Sequence, residues 1–273
     1  MTTLNEKTAL FGKLHGPGKC LVLPNAWDAA SARLVEDCGA SAIATSSAAL
    51  SWAHGFADGE NIPPATQLAA VREIARVIEL PLSVDAEAGL DAAPETVADF
   101  VVKLIEAGTS GINLEDGRNP PDLLAAKIRA IRRTAQRKGL SVFINARADT
   151  YLRKLAAPEA LLEETIRRGQ TYEAAGADGF FVPGLVDDAQ IRAIAAAVHL
   201  PLNVLTAPGL APIATLKSAG VRRVSAGSGP ARAAFGVLKA VAHQMLDEGR
   251  FDAMFKAADD LPNLNTLLQR QTD

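Results

Sequence analysis

With 273 residues, 48% of them apolar and 22% charged, the chain has the balance of an ordinary globular protein and a length suited to one barrel of roughly 250 residues. A net charge of −3 gives no field for drawing in nucleic acid or an anionic membrane, and no apolar run approaches the about 20 residues of a membrane span. The opening residues lack the apolar core of an export signal and two cysteines make no disulfide framework, so the expected home is the cytoplasm.

Short β-type runs alternate along the chain with Ala/Leu-rich helical stretches. Strands are predicted near 20–24, 42–45, 82–86, 111–114, 142–147, 179–182, 202–205 and 222–225. Helices are predicted near 26–37, 65–78, 94–106, 121–138, 158–175, 187–198, 211–218 and 229–246. Gly108, Gly176 and Gly220 close helices just before strands, and Pro94, Pro121 and Pro158 open helices where a missing N–H costs little. Eight such pairs predict an α/β fold, a (β/α)8 TIM-type barrel over 18–246 with a helical extension over 247–273, all one domain. A doubly wound open sheet would need a glycine-rich first turn, and Pro24-Asn25-Ala26-Trp27 is not one. Beyond the last predicted pair, Phe251, Met254, Phe255, Leu261, Leu264 and Leu267 carry more apolar surface than a free tail. They are expected in a final helix, either packed under the barrel or exchanged with a neighbour in a homo-oligomer.

In a parallel barrel the chemistry sits at the carboxyl ends of the strands. Asp85 and Glu87 follow one predicted strand, Glu115 and Asp116 the next, and Arg147 the next, so these charges are expected at one mouth. Carboxylates without accompanying His or Cys are hard donors that favour Mg²⁺, or Mn²⁺, over zinc. Asp85 is expected to ligate directly, with Glu87 and Glu115 acting largely through bound water. The same acids could instead cap helices or pair with Arg147. The Arg147 fork suits a carboxylate or a developing oxyanion, and could equally be only a counter-ion. Small residues at Ser46-Ser47-Ala48 let backbone amides approach an anion, or form a plain polar loop. Asn203 stands in an apolar run and needs partners if buried.

Pro24-Asn25-Ala26-Trp27-Asp28, Ser46-Ser47, His54-Gly55-Phe56-Ala57-Asp58-Gly59, Asp85-Ala86-Glu87-Ala88-Gly89, Leu114-Glu115-Asp116 and Asn145-Ala146-Arg147 occur in this order. Over residues 20–236 the set resembles the isocitrate lyase/phosphoenolpyruvate mutase superfamily. The resemblance implies a (β/α)8 barrel, commonly a dimer or tetramer with exchanged helices, and Mg²⁺-assisted making or breaking of C–C or C–P bonds beside a 2-oxo acid. It also implies Asp85 as metal ligand with Glu87 and Glu115 in the acidic shell, and Ser46, Ser47 and Ala48 on the substrate carboxylate. Trp27 falls beside the substrate, Arg147 facing the enolate oxygens, Asp58 as an active-site acid and Asn203 on a distal carboxylate.

The chain departs from this family in several places, among them the end of the sixth strand, where Phe181-Val182-Pro183-Gly184 stands in place of the relatives' Glu or His. Lyases of the isocitrate type carry a catalytic cysteine loop where Gly117-Arg118-Asn119-Pro120 runs straight into a helix, and Cys20 and Cys38 read as core residues. Glu87 also stands in place of the more usual Asp. The expected function is a lyase that cleaves or decarboxylates an oxaloacetate-like or methylisocitrate-like acid through an enolate. C–P bond chemistry is the alternative enzyme class, and a non-catalytic binder of 2-oxo dicarboxylates the third reading.

Overall fold

The computed structural model describes residues 3–269. The elements run α1 (Leu4–Leu14), β1 (Leu21–Leu23), β2 (Asn25–Ala26), α2 (Ala29–Asp37), β3 (Ile43–Thr45), α3 (Ser47–Ala53), α4 (Pro64–Val77), β4 (Leu82–Asp85), α5 (Pro94–Glu106) and β5 (Thr109–Glu115). They continue with α6 (Pro121–Arg137), β6 (Phe143–Arg147), α7 (Thr150–Arg153), α8 (Leu161–Ala175), β7 (Gly179–Val182), α9 (Asp188–Ala197), β8 (Leu202–Leu205) and α10 (Ile213–Ser218). The chain ends with β9 (Val221–Ser225), α11 (Gly229–Asp247), α12 (Asp252–Ala257) and α13 (Leu264–Leu268).

Every strand pairing is parallel, in the order β1-β9-β8-β7-β6-β5-β4-β3-β2. The two ends of that order are halves of one strand. Pro24 has no N–H to give, and the chain changes partner across it: Leu21 to Leu23 pair with β9, Asn25 and Ala26 with β3. Asn25 fastens the seam. Its Nδ2 donates to Thr45 O (2.7 Å), and its Oδ1 accepts from the amides of Ala226 (2.9 Å) and Gly227 (2.8 Å). The predicted eight-stranded barrel is therefore present, with its first strand divided.

Because side chains alternate along a strand, each strand faces two cores. Val84, Ile112, Leu114, Ile144, Val182 and Val204 join Val101, Leu104, Ile128, Ile131 and Ile194 of the helices in the outer core. Inside the base of the barrel a smaller cluster holds Phe11, Leu21, Leu23, Ala42, Ala44 and Phe143.

Phe11 comes from α1, an element the sequence reading left unassigned. Thr3 caps this helix reciprocally with Glu6, and Asn5 ties it to Gly139 O and the Ser141 amide (both 3.0 Å). Phe11 meets Phe143 edge-on at 5.3 Å, and His15 stacks on Phe143 at 4.4 Å. The close fit requires Gly111, since a Cβ there would stand 2.6 Å from the Phe11 ring.

Three expectations change. The helix predicted from 26 is α2 and begins at Ala29, because the Asp28 side chain caps it by accepting from the Ser31 amide (2.7 Å). The helix under the barrel is α1; the C-terminal extension instead forms the short α12 and α13, with Phe251, Met254, Phe255 and Leu261 exposed. Cys38 is exposed and Cys20 half-buried, so neither is a true core residue.

Candidate active site at the barrel mouth

Asp85 ends β4 on its inward face. Its amide donates to Thr45 Oγ1 (3.0 Å) and its carbonyl accepts from Gln67 Nε2 (2.9 Å), which fixes the backbone. Its Oδ2 accepts from both the amide (3.1 Å) and the hydroxyl (2.8 Å) of Ser47. Ser47 opens α3, a helix where the sequence suggested a loop, and Ser46 caps it. The Ser46 amide serves Ala26 O (3.3 Å), so both polar groups of Ser46 are used by the fold. Ala48 is buried in the first turn. The anion held at this turn is thus Asp85 itself. Its other oxygen, Oδ1, is buried without a partner, an arrangement that costs stability and marks functional sites.

Glu87 lies on the loop after β4 with φ +50°, in the left-handed region. Glu60 and Leu90 have φ +61° each, so three of the four described non-glycine residues with positive φ sit in one clasp. The Glu60 amide donates to Glu87 Oε2 (2.6 Å), and Glu60 Oε1 accepts from the Leu90 amide (2.8 Å). Lys127 reaches over from α6 to donate to Ala88 O (2.7 Å) and Asp91 O (2.8 Å). Gly89, at φ +100°, allows Val97 to pack where a Cβ would be 2.5 Å away. Glu87 Oε1 is a second buried carboxylate oxygen without a partner. Burial pushes this carboxyl up to about 7 against the Glu60 hydrogen bond, and the charges of Asp85, Asp58 and Glu60 add to the rise.

Glu115 and Arg147 are register neighbours on β5 and β6. Arg147 Nη1 lies 2.7 Å from Glu115 Oε2, and its Nε donates to Asp149 Oδ1 at 2.6 Å. Asp149 is fully buried and also accepts from Arg153 Nε (2.6 Å). Burial drives Glu115 above the usual carboxylate range while Arg147 pulls it back. Burial works against the Arg147 charge, but Glu115, Asp149 and Asp85 outweigh it and raise its affinity for the proton. The guanidinium lies over the Phe181 ring at 5.8 Å and stays 14% exposed. In this state Arg147 is the counter-ion of two acids and still faces the mouth.

Asp116 does not join them. One residue beyond Glu115, it points outward by strand alternation and accepts from Arg168 Nη1 (2.7 Å), Tyr172 Oη (2.5 Å) and the Asp149 amide (2.9 Å). It braces the turn at Gly117 rather than the mouth. That turn is tight, with the Asn119 amide bonded to Asp116 O at 2.9 Å.

Asp85, Glu87, Glu115, Arg147 and Ser47 are thus brought together as the sequence suggested. No hydrogen bond or ion pair among the described residues joins Trp27, Asp58 or Asn203 to them. The Trp27 ring packs 6.3 Å from Phe235 and lines an outer cleft with His54 and Ala70. Asp58 is exposed on the loop that Glu60 anchors. Asn203 is fully enclosed, its Oδ1 accepting from Ser225 Oγ (3.3 Å). Asp149, Arg153, Glu60 and Lys127 were missed. Asp149 stood two positions past Arg147, where a strand-end charge could have flagged it.

Among the described residues no three His, Cys, Asp or Glu side chains form a ready metal cage. The two buried, unpartnered oxygens, Asp85 Oδ1 and Glu87 Oε1, are nevertheless hard donors. Mg²⁺ keeps most of its shell as water and needs only one or two carboxylates. The donor set fits a hydrated divalent cation on Asp85, while Glu115, held by two arginines, is placed for contact through water.

Comparison with known proteins agrees with this architecture. The family model described as phosphoenolpyruvate phosphomutase matches residues 11–246. An uncharacterized protein of Mycobacterium tuberculosis is 39% identical over 224 residues, 81% of this chain and 82% of its own length. An oxaloacetate decarboxylase of Bradyrhizobium diazoefficiens is 33% identical over 213 residues, 76% of this chain and 73% of the relative. The crystal structure of a proposed phosphonomutase from Burkholderia cenocepacia J2315 superposes with a TM-score of 0.84 at 42% identity, covering 89% of this chain and 99% of that one. The chain belongs to the phosphoenolpyruvate phosphomutase family of the isocitrate lyase/PEP mutase superfamily, whose members are lyases and mutases.

Proposed function

We propose that this protein is a divalent-cation-dependent carbon–carbon lyase for small 2-oxo or 2-hydroxy di- or tricarboxylates, with decarboxylation of an oxaloacetate-like acid as its reaction. The observation that carries this reading is the pair of unpartnered buried oxygens, Asp85 Oδ1 and Glu87 Oε1, beside the Glu115–Arg147 pair. Asp85 would hold Mg²⁺ or Mn²⁺, with Glu87 and Glu115 on its waters; the cation, when bound, supplies Lewis acidity to the 2-oxo acid.

The chain's own groups do the rest. The turn at Ser46, Ser47 and Ala48 receives the substrate carboxylate as the Ser47 donors turn from Asp85; Trp27 and Asn203 would reach the substrate only on leaving the Phe235 and Ser225 contacts they make here. Arg147 stabilises the enolate oxygen left when the bond at C3 breaks. Glu87, raised to about 7, is suited to hold or release a proton near neutrality, with Asp58 on the adjacent loop as the second acid. Decarboxylation leaves an enolate that water can protonate, so no catalytic cysteine is required. The tight turn after Asp116 favours this over chemistry that depends on a closing loop. The likeness to an oxaloacetate decarboxylase supports the substrate class.

C–P bond chemistry is the second reading, favoured by the 42% identity to the proposed phosphonomutase. The protein is expected in the reducing cytoplasm, where the free thiols of Cys20 and Cys38 are at home; among the described residues no helix is long and apolar enough to cross a membrane. The exposed Phe235, Val237, Leu238 and Leu246 of α11 suit a homo-oligomer, a dimer or tetramer with exchanged C-terminal helices.

Release of CO2 from oxaloacetate in Mg²⁺ tests the assignment. Chelation and Asp85→Ala should abolish it, and Arg147→Met should lower kcat by about 10²–10³-fold, the range for losing one preorganised oxyanion donor. Phosphate from phosphonopyruvate with no CO2 from oxaloacetate would select the second reading; saturable binding of both without product would leave a binder.

A further inference from the structure

Arg223 of β9 is the largest fully enclosed side chain among the described residues. Its Nε donates to Ser225 Oγ (3.0 Å) and its Nη1 to Ser83 Oγ (3.4 Å), so the side chain bridges β9 and β4 through the barrel interior. Phe11 lies beneath, its ring 5.9 Å from Cζ, and Nη2 has no partner. Among the described residues it makes no ion pair. Burial pulls its affinity for the proton down to about 9, with Asp85 as the opposing charge, so it remains a cation at neutral pH.

A buried guanidinium without a carboxylate is expensive, and an apolar residue of similar volume is often as stable or more so. The outer face of the same strand is lined by valines, so packing alone gives no reason for the charge. The nearest functional anion is informative: Asp85 stands two residues past Ser83 on the same inward face of β4. Two Ser47 donors already hold the Asp85 carboxylate, so Arg223 is not needed there as a hydrogen-bond partner.

We propose that Arg223 is a positioning residue of the cation site: a fixed positive charge in the barrel core that acts through Asp85 to loosen the site's grip on a divalent ion. The inference rests on Asp85 as the cation's ligand. Two positive charges then share one carboxylate. The bound ion is held less tightly than Asp85 alone would hold it, and more of its electron-withdrawing power is left for the substrate. Because Arg223 is sealed from solvent, added salt cannot screen the effect as it would a surface charge.

Direct Mn²⁺ titration of the full-length protein, followed by the paramagnetic signal of free Mn²⁺, tests this without turnover. Arg223→Gln keeps a polar group for the serines and Arg223→Met keeps the volume; both should bind Mn²⁺ about tenfold more tightly, the ratio given by removing about 1.4 kcal/mol of repulsion. The difference should persist in high salt. Arg223→Lys places an ammonium that burial discharges more easily than a guanidinium, and should bind Mn²⁺ between the wild type and the neutral variants. Unchanged or weaker binding in the neutral variants overturns the proposal, and weaker binding in the lysine variant overturns it even if neither neutral variant folds. A wild type that binds no Mn²⁺, or an Asp85→Ala variant that binds it normally, would instead sink the metal reading of Asp85, and this inference with it.

Discussion

At the N-terminal end of the barrel Phe11, His15 and Phe143 stack into a closed floor, whereas at the C-terminal end Glu115 and Asp149 pair with Arg147 and Arg153, and Asp85 and Glu87 are held by Ser47 and Glu60. The floor is held by ring packing and glycine clearance, and its unpartnered atoms include the nitrogens His15 Nε2 and Arg223 Nη2. The mouth is held by opposed charges, and its unpartnered atoms include the carboxylate oxygens Asp85 Oδ1 and Glu87 Oε1. Left-handed, non-glycine backbone also gathers at the mouth. Stability that could have been gained there is absent, as expected where structure serves binding rather than folding.

The largest break in this contrast should come at Asp149, whose fully buried carboxylate accepts from both Arg147 and Arg153. Asp149→Ala leaves both guanidinium groups to Glu115 alone in a partly buried site and should cost about 3–5 kcal/mol. Denaturant unfolding would measure it, and kcat should fall together with stability because Arg147 loses its orientation. A variant as stable as the wild type would show that Glu115 alone positions the arginine.

The two ends should also answer pH with opposite signs. Glu87 holds its proton more tightly folded than unfolded. Its contribution is full below the unfolded value of 4.5 and is lost as pH rises through about 7. His15 donates from Nδ1 to Phe11 O (2.8 Å), a bond that favours the charged ring, but burial outweighs it. Burial, then the Arg223 charge, lowers it to about 3, so its contribution is present above the unfolded value of 6.5 and is lost as pH falls. By the size of the two shifts Glu87 is worth about 3 kcal/mol and His15 about 5 kcal/mol. Between the two unfolded values the slopes offset. In metal-free protein the melting temperature should therefore fall above about pH 6.5, and Glu87→Gln should make that limb shallower, leaving the part that Glu115, raised to about 8, contributes; His15→Gln should flatten the acid side instead. A single variant that flattens both limbs would mean that the two ends are not independent.

Much of this was legible in the sequence, for reasons tied to particular residues. Pro94 and Pro121 start helices where expected, because proline fixes φ and needs no partner there. Asp85, Glu115 and Arg147 were recoverable because strand ends in a parallel barrel converge. Asp116 was misplaced because inward and outward positions depend on register, which a strand-end charge pair does not reveal. The same ambiguity hid Arg223 beside Arg222. The Thr3–Glu6 capping pattern of α1 was available and passed over, and with it the floor. The clasp of Glu60, Glu87 and Leu90 could not be read, since loop contacts between distant segments leave no periodic trace.

The smallest effect belongs to the floor and is purely steric. At Gly111 an added methyl would stand 2.6 Å from one Phe11 ring carbon and 3.0 Å from another, with Phe143 O at 3.3 Å. Phe11 can retreat only by shifting α1, which Asn5 and Thr8 tie to the 139–141 turn. Gly111→Ala should therefore cost about 1–3 kcal/mol by overpacking, with the cost the same at pH 5 and pH 8 because no charge changes partner. Trimming the ring in the double variant Gly111→Ala/Phe11→Leu should recover part of it, a coupling that a double-mutant cycle reads directly. If the cost varied with pH as the Glu87 limb does, the floor would be transmitting strain to the mouth through β5, and the two ends would have to be treated as one mechanical unit.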